Sequence, residues 1–285
     1  MLKNISVLLL ILILIPAGSN GLNKNEEDLV REKLESFDND LGKCSISDII
    51  KAVGESFLGT EYVAGTLDSY DGEEHLVIRI SGLDCVTFVE NTLAMARVIQ
   101  KGKRDLQSFK KELQEIRYRG GKIKGYPSRL HYFSDWIFDN EKKGIVRDIT
   151  KTIGGIPYKK KIDFMSTHPD SYKQLMIDEG NLEEIIKVES NINKRKLYYI
   201  PKSEVDGYYE SLKTGDIIAT TTNVKGLDIS HTGFVYKSNG KTYFLHASIE
   251  SKEIIVSGKE LKGYLNDHKK QTGIMVARPL ETEYK

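Results

Sequence analysis

The hydrophobic pattern changes its period along the chain. An unbroken apolar run from Val7 to Pro16 comes first, helical spacing dominates to about residue 190, and the last third turns to strand spacing. Asn25 to Ser36 predicts a charged helix. Ile49, Ile50, Val53, Phe57 and Leu58 lay one apolar face along a helix from Ser45 to Leu58, which Gly59 ends. His75 to Ile80 predicts a short strand. Asp84 stands where it can cap a helix from Cys85 to about Gln100, and that helix is apolar nearly all round, so it is expected to be central and buried. Further on, the pattern predicts a helix ending at Gly120-Gly121, a turn at Tyr126 to Ser128, a helix from Arg129 to Glu141, and helical stretches at Pro169–Leu175 and Leu182–Val188. Strands are expected at Asp216–Thr221, Ile229–Tyr236, Lys241–His246, Glu253–Val256 and Gly273–Arg278. The fold class is therefore α+β.

One hairpin can be read to the residue. Asn239-Gly240 is a favoured two-residue turn, so Ser238 faces Lys241. That register sets His231 opposite Ser248 and His246 opposite Gly233. The two imidazoles then share a face as diagonal neighbours, roughly 5–8 Å apart at Cβ, with Gly233 leaving space beside His246. A slip of one residue would send the rings to opposite faces.

Composition narrows the possibilities. With 42 basic and 41 acidic residues the chain has no field that would recruit nucleic acid, and no basic tract stands out. Lys3, the short apolar run and the small residues Ala17-Gly-Ser19 suit a secretory signal over residues 1–19. The run is shorter than the roughly 20 residues that span a bilayer. An exported, periplasmic chain without stable membrane insertion is expected, with residues 20–285 forming a single domain. Its two cysteines, Cys44 and Cys85, read better as separate thiols than as a disulfide, with Cys44 a buried small hydrophobe. His75, His168 and His268 lie in polar contexts and are assigned to the surface.

Cys85 is the candidate nucleophile. A thiol in the first turn of a helix feels the positive end of the helix dipole, which favours thiolate. His231 can serve as base and His246 can orient it, while amides of the helix start can meet an oxyanion. Zinc on His231, His246 and Asp228 would leave the thiol unexplained, so no metal or cofactor is expected. Asp228 reads better as fixing the turn into the His231 strand. Arg129, Tyr132 and Trp136 fall near one helical face and could form either a sugar-binding wall or a packed stripe.

Gly59-Thr-Glu-Tyr62-Val-Ala-Gly65, Leu83-Asp84-Cys85, Thr214-Gly215-Asp216, Ser230-His231-Thr-Gly-Phe and Leu245-His246-Ala-Ser248 occur in the order seen in NlpC-type cell-wall cysteine peptidases. The chain resembles those enzymes. It is more similar still to the exported N-acetylmuramoyl-L-alanine amidase-like proteins, through Asp84-Cys-Val-Thr-Phe-Val-Glu90, Arg129-Leu-His-Tyr-Phe-Ser-Asp-Trp136, Asp163-Phe-Met-Ser166 and Gly226-Leu-Asp-Ile-Ser-His231. The resemblance implies a papain-like core, with a buried nucleophile helix on an antiparallel sheet and a helical insertion at about 109–213. It also implies a Cys85–His231–His246 triad in a monomeric enzyme that cleaves the muramoyl–L-alanine bond of soluble anhydro-muropeptides. Tyr62, Asp84, Arg129, Tyr132 and Ser248 are the residues expected to bind substrate. NlpC-type enzymes usually carry Ser after the nucleophile where this chain has Val86, so their peptide specificity is not carried over. A γ-D-glutamyl-diaminopimelate endopeptidase, an acyltransferase with the same triad, and an idle sugar- or peptide-binding module are the alternatives.

Overall fold

The computed structural model describes residues 25–68 and 73–282, and the expected export signal lies outside them. In chain order the helices are α1 (Glu26–Glu35), α2 (Ile46–Glu55), α3 (Cys85–Gln100), α4 (Leu106–Arg117), α5 (Phe133–Lys142), α6 (Phe164–Thr167), α7 (Lys173–Ile177), α8 (Glu179–Asn193) and α9 (Leu261–Asp267). The strands are β1 (Glu61–Tyr62), β2 (Gly82–Leu83), β3 (Val146–Asp148), β4 (Ile156–Pro157), β5 (Tyr198–Pro201), β6 (Ile217–Thr222), β7 (Ile229–Ser238), β8 (Lys241–Ser248), β9 (Glu253–Val256) and β10 (Gln271–Pro279). None of the described helices is long and apolar enough to cross a membrane.

One sheet organises these elements, in the order β2-β1-β9-β8-β7-β6-β10-β5-β4, with β3 paired to β10. It is mixed rather than purely antiparallel, because β1 and β2 run parallel at one edge. Alternation along β7 and β8 divides two cores between its faces. Phe234, Leu245 and Ala247 join the core under α3, while Val235 and Phe244 join a second core with Leu261 and Leu265 of α9. The predicted central helix is borne out in position and bounds: α3 is buried from Thr87 to Gln100, and Phe88 meets Phe57 and Phe234 edge-on.

The hairpin register also holds. Ser238 pairs with Lys241 and Phe234 with Leu245, and Asn239 and Gly240 both take positive φ, at 50° and 74°, as the favoured tight turn requires. Gly233, however, leaves no open space. A Cβ there would stand 2.5 Å from the Leu245 carbonyl oxygen and 2.8 Å from the His246 Cβ, so glycine lets the strands close.

Residues 75–80 form no strand; side chains hold them instead. Arg117 donates to the Val77 carbonyl, Tyr118 to that of His75, and Glu26 accepts from the Ile80 amide. Cys44 is exposed rather than buried, and both cysteines are free.

Candidate active site

Cys85 opens α3 because Asp84 caps it. The Asp84 carboxylate accepts from the Thr87 amide at 2.8 Å, and the Thr87 hydroxyl accepts from the Asp84 amide at 2.9 Å. This reciprocal box explains why threonine suits position 87. It gives Asp84 a structural role at the helix start through one carboxylate oxygen, Oδ1.

The two histidines meet as the hairpin register required. His231 Nε2 lies 2.8 Å from His246 Nδ1, with the rings nearly perpendicular. Tyr264 of α9 packs against both rings, and Phe244 stacks on His246. With Nε2 of His231 engaged by His246, its Nδ1 is the nitrogen left to exchange a proton with a reacting group. The thiol approaches from the α3 side. The β7–β8 ladder reaches Phe234–Leu245, and beyond it the backbone of Thr232, next in chain to His231, lies near enough to the Cys85 sulfur to favour its thiolate. Strand β7 is anchored just upstream, where the buried Asp228 carboxylate accepts from the amides of Ser134 and Ile229. Asp228 therefore does fix the entry to the His231 strand.

Burial sets the charge state. It pushes the Cys85 thiol up to about 12, the Asp84 charge adds to this, and the amides of Thr232, Cys85 and Val86 pull the other way. Burial likewise lowers His246 to about 4 and His231 well below its ordinary value. At neutral pH the site rests as thiol and neutral imidazoles. The helix dipole does not hold a standing thiolate, and the arrangement is suited to general-base activation at the moment of attack.

The remaining expected residues divide. Tyr62 stands close enough to feel Cys85 and Asp84, and burial chiefly raises its hydroxyl to about 12. Ser248 lines one cavity with both histidines. Arg129 and Tyr132 do not join them. Both precede α5, so the helical face they were expected to share does not exist. Arg129 pairs with Asp68 at 2.6 Å and Glu74 at 3.5 Å. Tyr132 is 2% exposed, donates to Glu189 at 2.6 Å and accepts from the Met165 amide at 2.8 Å. It is a packed strut, not a wall open to sugar.

A family model described as AmiA-like, N-acetylmuramoyl-L-alanine amidase-like, matches residues 52–274. The chain belongs to this family. An N-acetylmuramoyl-L-alanine amidase from Bacteroides uniformis is 38% identical with a TM-score of 0.78, covering 82% of this chain and 99% of its own. A Bacteroides fragilis protein, described as a candidate xylanase, is 41% identical with a TM-score of 0.75, covering 80% and 99%. A Legionella pneumophila protein, LPG0564, shares the fold at 22% identity with a TM-score of 0.69, covering 90% and 95%. Among curated proteins, none matches.

In this amidase-like chain the sequence reading missed Thr232, Tyr264, His268 and Gln271. His268 is not merely on the surface: its ring packs at a tilt against Tyr264, lies 3.6 Å from Glu250 and lines the histidine cavity. The spacing Leu261, Tyr264, Leu265, His268 is helical and could have revealed α9. The Thr232 amide could not have been found, because every residue carries one.

Proposed function

We propose that this chain is an exported, cysteine-dependent amidase that cleaves the bond between the N-acetylmuramoyl lactyl group and L-alanine in soluble muropeptides, with anhydro-muropeptides as its preferred substrates. The observation that carries the reading is the 2.8 Å His231–His246 contact on a hairpin whose Thr232 backbone lies near the helix-start thiol. Family membership supports the reaction class, and the buried α3 against the sheet supports a papain-like core with a helical insertion after it.

As Cys85 Sγ attacks the lactyl carbonyl carbon, His231 takes the thiol proton and His246 stabilises the imidazolium. Amides at the start of α3 stabilise the oxyanion. The C–N bond then breaks, His231 passes its proton to the departing L-alanine amine, and a thioester remains. Water attacks the thioester with His231 again accepting a proton, which releases the muramic acid and restores the thiol. Xylan cleavage, by contrast, uses two carboxyl groups flanking the scissile bond. Glu250 is the one carboxylate among the described residues lining this cavity.

Mass spectrometry of products from a defined anhydro-disaccharide tetrapeptide tests the reading. Free tetrapeptide and anhydro-disaccharide are expected, with Cys85→Ala and His231→Ala each losing about 10⁴-fold or more in turnover and His246→Ala losing less. A cut inside the stem would move the specificity to the γ-D-glutamyl bond. Undiminished turnover by Cys85→Ala would end the cysteine mechanism.

A further inference from the structure

The cavity beside the two histidines has a volume of about 350 Å³ and continues past them to Tyr264, His268, Lys269, Lys270 and Gln271. Its far end combines two features. Lys269 and Lys270 are exposed on a pinned turn, where the Lys270 carbonyl accepts from the Asn223 amide and the Thr222 hydroxyl, and the Gln271 amide bonds back to His268. Gln271 is only 5% exposed; its side chain lies near the Tyr264 hydroxyl, and its Oε1 has no hydrogen-bond partner among the described residues. A buried acceptor without a partner among the described residues, in one cavity with two lysines that form no ion pair among them, is the complement of a ligand with an N–H and, a short distance along, a carboxylate.

We propose that this cavity receives the leaving half of the substrate, the acidic stem peptide, with Gln271 accepting a peptide N–H and Lys269 and Lys270 holding the α-carboxylate of the γ-linked D-glutamate. The assignment rests on the amidase reading above. In that reaction His231 must deliver its proton to the departing L-alanine nitrogen, so the leaving group lies on the histidine side of the thiol. The first free carboxylate of the stem belongs to the next residue, a γ-linked glutamate, and the exposed lysines line the same cavity as the histidines.

The test compares two anhydro-disaccharide dipeptides whose glutamate γ-carboxyl is capped as the methylamide, one with a free α-carboxylate and one α-amidated, with wild type and with Lys269→Ala/Lys270→Ala. Wild type is expected to prefer the free acid by roughly tenfold in kcat/KM, the size of one charge-assisted hydrogen bond. The double variant is expected to lose that preference while still cleaving the amidated substrate. Cleavage by wild type without preference, or a preference that survives in the variant, overturns the stem cavity and leaves the amidase standing. Should wild type cleave neither substrate, the amidase reading fails, and calorimetric titration with the same γ-capped dipeptide acid, without the disaccharide, decides the cavity. Binding about tenfold weaker in the variant supports it, and equal or absent binding overturns it.

Discussion

Asp84 does two opposed things through one carboxylate. It caps the helix that presents Cys85, and its negative charge, added to burial, raises the thiol it presents. Asparagine caps a helix about as well as aspartate, so Asp84→Asn separates the roles. Stability should change by less than about 1 kcal/mol, whereas alkylation of Cys85 by iodoacetamide at fixed alkaline pH should accelerate, by roughly tenfold for each pKa unit recovered. Unchanged alkylation would mean that burial alone sets the thiol. Single residues also show what can be read from a sequence. Cys85 stood out because its neighbours offered a cap and a helix, and His231 and His246 because a two-residue turn fixes the register between them. Gly233 was legible only in part: the sequence puts it beside His246, but the closeness of the Leu245 carbonyl that makes glycine necessary is a distance between strands.

At the scale of elements, Tyr132 shows how two readings that look alike in sequence come apart. A tyrosine at the edge of a predicted helix suits a sugar-facing wall or a packed stripe equally well. The structure ends the ambiguity by starting α5 at Phe133 and bringing α6 and α8 onto the Tyr132 hydroxyl. Tyr132→Phe is therefore expected to cost about 2 kcal/mol in chemical denaturation, since it leaves the Met165 amide without this partner and the buried Glu189 carboxylate with the Ser166 amide alone of its two donors. The ratio of rates on substrates with and without the disaccharide should not move. A changed ratio in a fully stable variant would restore the sugar-wall reading. The elements foreseen were those with local signals: α3 with its cap, and the five C-terminal strands with their period of two. The short strands β1 to β5 escaped because two to four residues carry no period. The stretch at 75–80 was misread as a strand because its apolar run packs through side-chain bonds from Arg117, Tyr118 and Glu26 and not through a ladder.

For the whole molecule, the burial that keeps the site neutral also ties stability to pH. The fold holds His131 down to about 3 and His246 to about 4, with His231 lowered as well, chiefly through desolvation, whereas an unfolded chain protonates each histidine near about 6.5. Below that value the unfolded state binds more protons than the folded one, so stability rises with pH through this range and falls on acidification. The stabilisation is complete above about pH 6.5 and is lost progressively as pH drops toward about 4, where His246 begins to charge within the fold. Each histidine held neutral costs up to about 1.4 kcal/mol per pH unit across that window. Thermal unfolding at constant ionic strength should show Tm falling steeply from pH 7 to pH 5. His131→Phe tests the assignment away from the proposed catalytic groups, since it removes one titrating imidazole and should flatten the slope by about one proton whatever it does to Tm at pH 7. A wild-type Tm that stays level over the window would show that these imidazoles take up protons in the folded state as readily as in the unfolded chain, and a slope that His131→Phe leaves unchanged would show it for His131 alone.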